Sequence, residues 1–228
     1  MSKKFTLTID EELQSLVHEE LQWEPQLKET NIGILVKEGA VTLTGSVPNF
    51  AARCAAEYSA KRVRGARAVI NEIKVITPFS GLRGDLEIAR AASHILDGYF
   101  CGPSDVQVTA SNGWLTLTGE VARGFYRNEA TKALISLAAV RGISNLISIK
   151  PKERSAHVQE RIERGLKRNA EIDAQKIEAR ADHGRVILSG SVRSLAAREE
   201  AGRIAWAIEG VTEVKNNITV SSGRDDFD

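Results

Sequence analysis

The feature that most restricts what this chain can fold into is an internal repeat. Residues 40–47, 114–121 and 185–192 read AVTLTGSV, WLTLTGEV and RVILSGSV, and they align on Gly45, Gly119 and Gly190, 74 and 71 residues apart. Extended without gaps, the three windows 32–75, 106–149 and 177–220 share eight identical columns: Gly39/Gly113/Gly184, Leu43/Leu117/Leu188, Gly45/Gly119/Gly190, Val47/Val121/Val192, Arg53/Arg127/Arg198, Ala56/Ala130/Ala201, Asn71/Asn145/Asn216 and Ile73/Ile147/Ile218. Chance would supply on the order of 0.2 such columns. The chain is therefore one unit written three times, and whatever it folds into must close its core within roughly 70 residues.

Each copy carries the same order of periodicities. A first helical face, with apolar residues three and four apart, runs through Leu13, Leu16, Val17 and Leu21, through Ile88, Ala91, Ala92, Ile95 and Leu96, and through Val158, Ile162 and Leu166. Asp10, Asp85 and Ser155 precede these faces and are expected to cap them. Alternating apolar residues then mark two strands on either side of Glu38-Gly39, Asn112-Gly113 and His183-Gly184, where glycine supplies the positive φ of a tight hairpin turn. A second helical face follows, through Ala52, Ala56 and Ala60 in the first copy, and a last strand ends at Val75, Ile149 and Val220. The expected fold is α+β: three tandem αββαβ domains over residues 8–78, 83–151 and 155–221, each with two helices on one face of a three-stranded mixed sheet. A unit this small buries only about 60% of its unfolded surface, so neighbouring units are expected to support one another.

Composition removes several classes of function. The 228 residues hold 31 Lys+Arg against 30 Asp+Glu, a net charge of +1, so no partner is selected by bulk charge. A hydrophobic content of 42% is that of a folding chain. No apolar run approaches the roughly 18 to 20 residues of a transmembrane helix, and residues 1–15 contain no apolar stretch of secretory type. Two cysteines, Cys54 and Cys101, suit a reducing compartment. A cytoplasmic location is expected, or a periplasmic one if the chain is a processed form.

The pattern G-x-V-x-L-x-G-x-V, with Arg eight and Asn twenty-six residues after the second glycine, resembles the BON domain. It falls on Gly39, Val41, Leu43, Gly45, Val47, Arg53 and Asn71, and again around Gly113 and Gly119 and around Gly184 and Gly190. The resemblance implies non-enzymatic αββαβ modules of the kind found in osmotically inducible periplasmic proteins, outer-membrane lipoproteins and secretins. It also implies association with anionic phospholipid or a role under stress, while single-copy relatives that bind potassium suggest ion sensing.

The shared columns read as backbone and packing devices: the glycines for their conformations, and Arg53, Arg127 and Arg198 with stems along the helix seam and heads on a carboxylate or carbonyl. Asn71, Asn145 and Asn216 are placed to satisfy local backbone groups. The four histidines occupy non-equivalent positions and make no metal-ligand spacing, so no enzyme, metal or cofactor is expected. Gly81-Leu-Arg-Gly84 has the spacing of a nucleic-acid-binding GXXG loop but lies between a strand and a helix, and no nucleic-acid partner is expected.

Two sets of residues are candidates for binding. Lys61, Arg62, Arg64 and Arg67 crowd a helix C-terminus with only Glu57 and Glu72 near in sequence, making a candidate contact for an anionic ligand such as a phospholipid surface. A second basic run, Arg161, Arg164, Lys167 and Arg168, is interleaved with acids and reads as the weaker site. Leu35, Ile70, Ile76, Trp114 and Leu146 break the polar pattern of the sheet faces turned away from the helices and mark an interface, either between repeats, the favoured reading, or with a protein partner. Trp23, Tyr99 and Phe100, at the ends of first helices, are candidate lipid-interface aromatics or caps on a small core. The reading overall is a binding or scaffold protein on phospholipid or exposed protein surface, with self-assembly or potassium sensing as alternatives.

Overall fold

The computed structural model describes residues 9–28, 30–77, 84–99, 105–150, 157–169 and 177–221. Phe100, Cys101, Ser155 and residues 81–83 lie outside them.

Three units of one design follow each other. Unit one contains α1 (Ile9–Trp23), β1 (Ile32–Lys37), β2 (Ala40–Val47), α2 (Phe50–Arg62), β3 (Ala68–Asn71) and β4 (Lys74–Val75). Unit two contains α3 (Asp85–Tyr99), β5 (Gln107–Ser111), β6 (Trp114–Thr118), β7 (Glu120–Val121), α4 (Gly124–Leu134), β8 (Gly142–Asn145) and β9 (Ser148–Ile149). Unit three contains α5 (Val158–Lys167), β10 (Ile177–Asp182), β11 (Arg185–Val192), α6 (Leu195–Ala207), β12 (Glu213–Asn216) and β13 (Thr219–Val220). In each, the hairpin is antiparallel and the last strand lies parallel to its second arm, in the registers Leu43↔Asn71, Leu117↔Asn145 and Leu188↔Asn216. The sheet is thus mixed, and the fold is α+β as the repeat pattern predicts.

Turn chemistry sets the hairpins. Glu38, Asn112 and His183 adopt φ of 52°, 51° and 47°, each followed by a glycine at positive φ, a pairing of left-handed residues that matches the twist of the two arms. Asp10 and Asp85 have a different task from the helix-capping one expected. Each carboxylate accepts two backbone N–H bonds from the turn, Asp10 from Glu38 (2.8 Å) and Gly39 (3.1 Å), Asp85 from Asn112 (2.8 Å) and Gly113 (2.9 Å). A turn with positive φ points its N–H groups outward, and an acid on the first helix collects them.

The core of each unit lies between its helices and one sheet face. Val41 and Leu43, Leu115 and Leu117, and Val186 and Leu188 are fully buried, facing the alanine-rich side of the second helix, where Ala56, Ala130 and Ala201 have no exposed surface. Small side chains there let helix and sheet approach closely.

The units meet through their second helices, with α6 against both α2 and α4. Leu195 joins the core of unit one, and Phe50 packs against the cores of units one and two. Trp206 of α6 lies against Gly124, where an added Cβ would collide with the indole. Lys61 bridges Glu57 (2.7 Å) and Glu199 (2.6 Å), and Arg123 bonds Glu209 at 3.0 Å. Repeat-to-repeat packing by the outer sheet faces, the arrangement favoured from sequence, is not what occurs: Leu35, Ile70, Ile76, Trp114 and Leu146 remain 45 to 65% exposed. The apolar contacts that join the units are instead those of Leu195, Phe50 and Trp206 on the second helices.

Candidate functional site

The shared Arg and Asn columns form a clasp between the second helix and the last strand. Arg53 donates to the Asn71 carbonyl (3.1 Å) while the Asn71 amide donates to the Arg53 carbonyl (3.2 Å) and to Glu57 (3.1 Å). Arg198 and Asn216 repeat the exchange at 3.0 and 2.7 Å. Asn145 donates to the Arg127 carbonyl (2.5 Å) and to Thr131 Oγ1 (2.8 Å). In every unit the Asn Oδ1 accepts from the backbone two residues on, at Ile73, Ile147 or Ile218. That bond fixes the break in the last strand, between β3 and β4 and their counterparts. In units one and three this geometry engages both guanidinium and amide within the protein.

In the basic cluster at the end of α2, Arg62, Arg64 and Arg67 are exposed and Lys61 is half-buried, and acids from other elements engage Lys61 and Arg62. Lys61 is held between Glu57 and Glu199, and Arg62 pairs with Glu20 of α1 and lies 6.0 Å over the Tyr58 ring. Burial disfavours charge on Lys61, but Glu199 and Glu57 outweigh it and raise its pKa. The stem of Arg67 packs beside Gly39, and Arg67 lines a groove of about 470 Å³ with Arg198 and Asn216 to Val220 at the seam between units one and three. The acids Glu20 and Glu199 come from other elements, so proximity along the chain gives no warning of them. The second basic run is the one the fold gathers: Arg161, Arg164, Lys167 and Arg168 line a groove of about 520 Å³ floored by Ile208, with Glu160 at 3.5 Å from Arg164.

The first-helix aromatics part company. Trp23 is 81% exposed at the end of α1 and caps no core. Tyr99 donates to Glu129 at 2.9 Å, a bond that raises the phenol pKa. Phe100 lies outside the described residues.

The sheet faces turned away from the helices differ among the units. In unit one the register sets Leu35, Thr42 and Ile70 in one row across three strands, with Ile76 beyond it on the same face. Unit two places Thr109, Thr116 and Ser144 in the equivalent row, flanked by Trp114, whose indole covers Gly142 and donates to Ser144 Oγ at 2.8 Å. Unit three places Arg180, Ile187 and Lys215 there, with Arg185 on Glu213 at 2.8 Å. Three sheets of one shape thus carry an apolar, a hydroxyl-bearing and a charged surface.

Among the described residues no three His, Cys, Asp or Glu side chains gather as metal ligands, and no helix is long and apolar enough to cross a membrane. Cys54 is a free thiol whose pKa is pushed up to about 11, first by burial and then by the nearby Glu57 carboxylate.

Three αββαβ modules in tandem, joined by their second helices and differing in the chemistry of their outer sheet faces, define the class by its fold. The chain belongs to the BON domain family, whose model matches residues 9–77, 85–151 and 155–222. No curated protein matches it. Among solved structures it is similar to the C-terminal domain of CdsD, a structural protein of the type III secretion system of Chlamydia trachomatis, at 15% identity over 94% of this chain and 99% of that one, with a TM-score of 0.25. It is also similar to the periplasmic domain of the type III secretion inner membrane protein PrgH from S. typhimurium, at 13% identity over 84% and 100% of the two chains, with a TM-score of 0.23. Likenesses at this level carry no functional argument.

Proposed function

We propose that the chain is a non-catalytic scaffold that holds exposed, unfolded or flexible protein segments on the outer sheet face of unit one. The observation that supports this reading is the row Leu35–Thr42–Ile70, with Ile76 beside it: large apolar side chains on a sheet face that no element of the chain covers among the described residues. Contiguous exposed apolar surface on a well-packed protein marks a contact.

The test uses a permanently unfolded polypeptide, reduced and carboxymethylated lactalbumin, as probe. Fluorescence anisotropy should show binding by the full chain that weakens at least tenfold in Leu35→Glu/Ile70→Glu, and that Arg164→Glu leaves unchanged. Equal binding by the face variant and the parent, or no binding by the parent, refutes the reading. A phospholipid reading keeps one supporting observation, the basic groove of Arg161, Arg164, Lys167 and Arg168 on α5. Salt-sensitive co-sedimentation with phosphatidylglycerol vesicles, lost in Arg164→Glu/Arg168→Glu, is its signature.

A further inference from the structure

Each of the three sheets ends in an exposed edge at the first arm of its hairpin, and the three edges are not equally protected. In β1 the side-chain amide of Gln14 donates to the Ile34 carbonyl at 2.9 Å, closing the centre of the edge from the first helix. Gln159 of α5 is the counterpart of Gln14, three turns of helix aligned with three, yet it donates to Glu163 at 3.0 Å instead. Beside β10 there is consequently a groove of about 340 Å³ between strand and helix, lined by Gln159, Glu163, Leu166 and Lys167 on one side and Ile177 to Arg180 on the other. Among the described residues β10 pairs with β11 alone.

The register says which backbone groups point into that groove. Asp182 and Arg185 close a two-residue turn, so the pairs Asp182↔Arg185, Arg180↔Ile187 and Glu178↔Ser189 exchange the hairpin hydrogen bonds. Ile177, Ala179 and Ala181 therefore aim their N–H and C=O groups outward, while Glu178 and Arg180 stand on the sheet's outer face, highly exposed and 3.9 Å apart in a loose pair. An unpaired ladder of this kind is a template for another strand.

We propose that β10 pairs antiparallel with β10 of a second copy of this chain, on a twofold axis through Ala179, joining two sheets into one. Strand parity and charge single out this register. Centred on Ala179, Glu178 of one protomer stands opposite Arg180 of the other, twice, and only alanine meets alanine at the axis, with Ile177 opposite Ala181 facing the groove. Centred on Arg180, the two arginines would oppose each other and Glu178 would face Asp182. Centred on Ala181, the pairing would run into the turn at His183 and Gly184. The edges β1 and β5 offer no such pairs: their outer residues are Gly33, Leu35 and Lys37, and Gln107, Thr109 and Ser111. The second copy, rather than a foreign peptide, is the occupant because the strand's own charges complement themselves.

Sedimentation equilibrium of the full chain between about 10 μM and 1 mM tests this. A monomer–dimer equilibrium is expected, weakening with salt. Each of Glu178→Arg and Arg180→Glu alters both symmetry-related pairs and should raise the dissociation constant about tenfold or more, while Glu178→Arg/Arg180→Glu restores it. Ala179→Pro removes an N–H that serves only the outer edge and should abolish dimerisation, with far-UV circular dichroism retained. A chain monomeric at 1 mM, a dimer indifferent to Ala179→Pro, or failure of the double reversal to rescue would overturn the proposal, as would an added peptide binding this edge while the chain stays monomeric. These outcomes are independent of Leu35 and Ile70, which belong to the scaffold reading.

Discussion

Removing the asparagine of the clasp should cost different amounts in different units, and the structure says how different. Asn145 makes three bonds: to the Arg127 carbonyl, to Thr131 Oγ1 and from the Ile147 N–H. Asn216 makes the equivalents to Arg198 and Ile218, but Gly202 stands where unit two has Thr131, so the third acceptor is missing. Ile147 and Ile218 are both buried, so deleting Oδ1 strands an N–H away from water at about 1 to 3 kcal/mol, and each remaining bond is worth about 0.5 to 1.5 kcal/mol net. Asn145→Ala should therefore destabilise by about 2 to 6 kcal/mol, and Asn216→Ala by about 1 kcal/mol less. Urea unfolding reads this with intrinsic probes, since Trp114 belongs to unit two and Trp206 to unit three. Losses below about 0.5 kcal/mol in Asn145→Ala, or a larger loss in Asn216→Ala, would refute the account of the clasp as the fixture of the last strand.

Two further outcomes follow from the charges on the second helices. Glu57, Glu129 and Glu200 all have lowered pKa values; burial opposes the shift at Glu57 and Glu129 but is outweighed, by Lys61 and Asn71 at Glu57 and by Lys132 and Tyr99 at Glu129, while Arg203 leads at Glu200. Their contribution is present above the ordinary glutamate value of 4.5 and is lost as pH falls below it through the lower folded values, so thermal scans should show the melting point dropping on the acid side of pH 4.5, and less steeply in Glu57→Gln. For Lys61, raised from 10.5, the loss comes instead on the alkaline side as pH climbs through the folded value. Cys54, with its pKa near 11, should be roughly one part in a thousand thiolate at pH 8 and alkylate with iodoacetamide far more slowly than an exposed thiol, as mass spectrometry of Cys101→Ser would show; rapid labelling of the folded protein would contradict its burial.

What was legible in advance was what repeats. Eight shared columns and the two periodicities are enough for three αββαβ units, because each column reports a local backbone or core requirement that all three copies must meet. The spacing of Arg53 and Asn71 was visible too, but their reciprocal bonds to each other's carbonyls depend on how the second helix crosses the last strand. An acid at a helix start, such as Asp10 or Asp85, suits a cap, and only the folded hairpin brings the N–H groups of Glu38 and Gly39 within reach of Asp10. The acids that engage Lys61 and Arg62, Glu199 and Glu20, arrive from another unit and another helix. Side-chain partners set by tertiary approach leave no periodic trace in a single chain.

The joining of the units through α2, α4 and α6 divides each domain's alphabet in two. Alternate strand positions facing the helices are bound by the core, while the intervening ones are exempt from it, so a handful of codons can redecorate one sheet without disturbing its siblings. A triplicated gene of this kind can acquire new specificities one face at a time and keep its shape throughout.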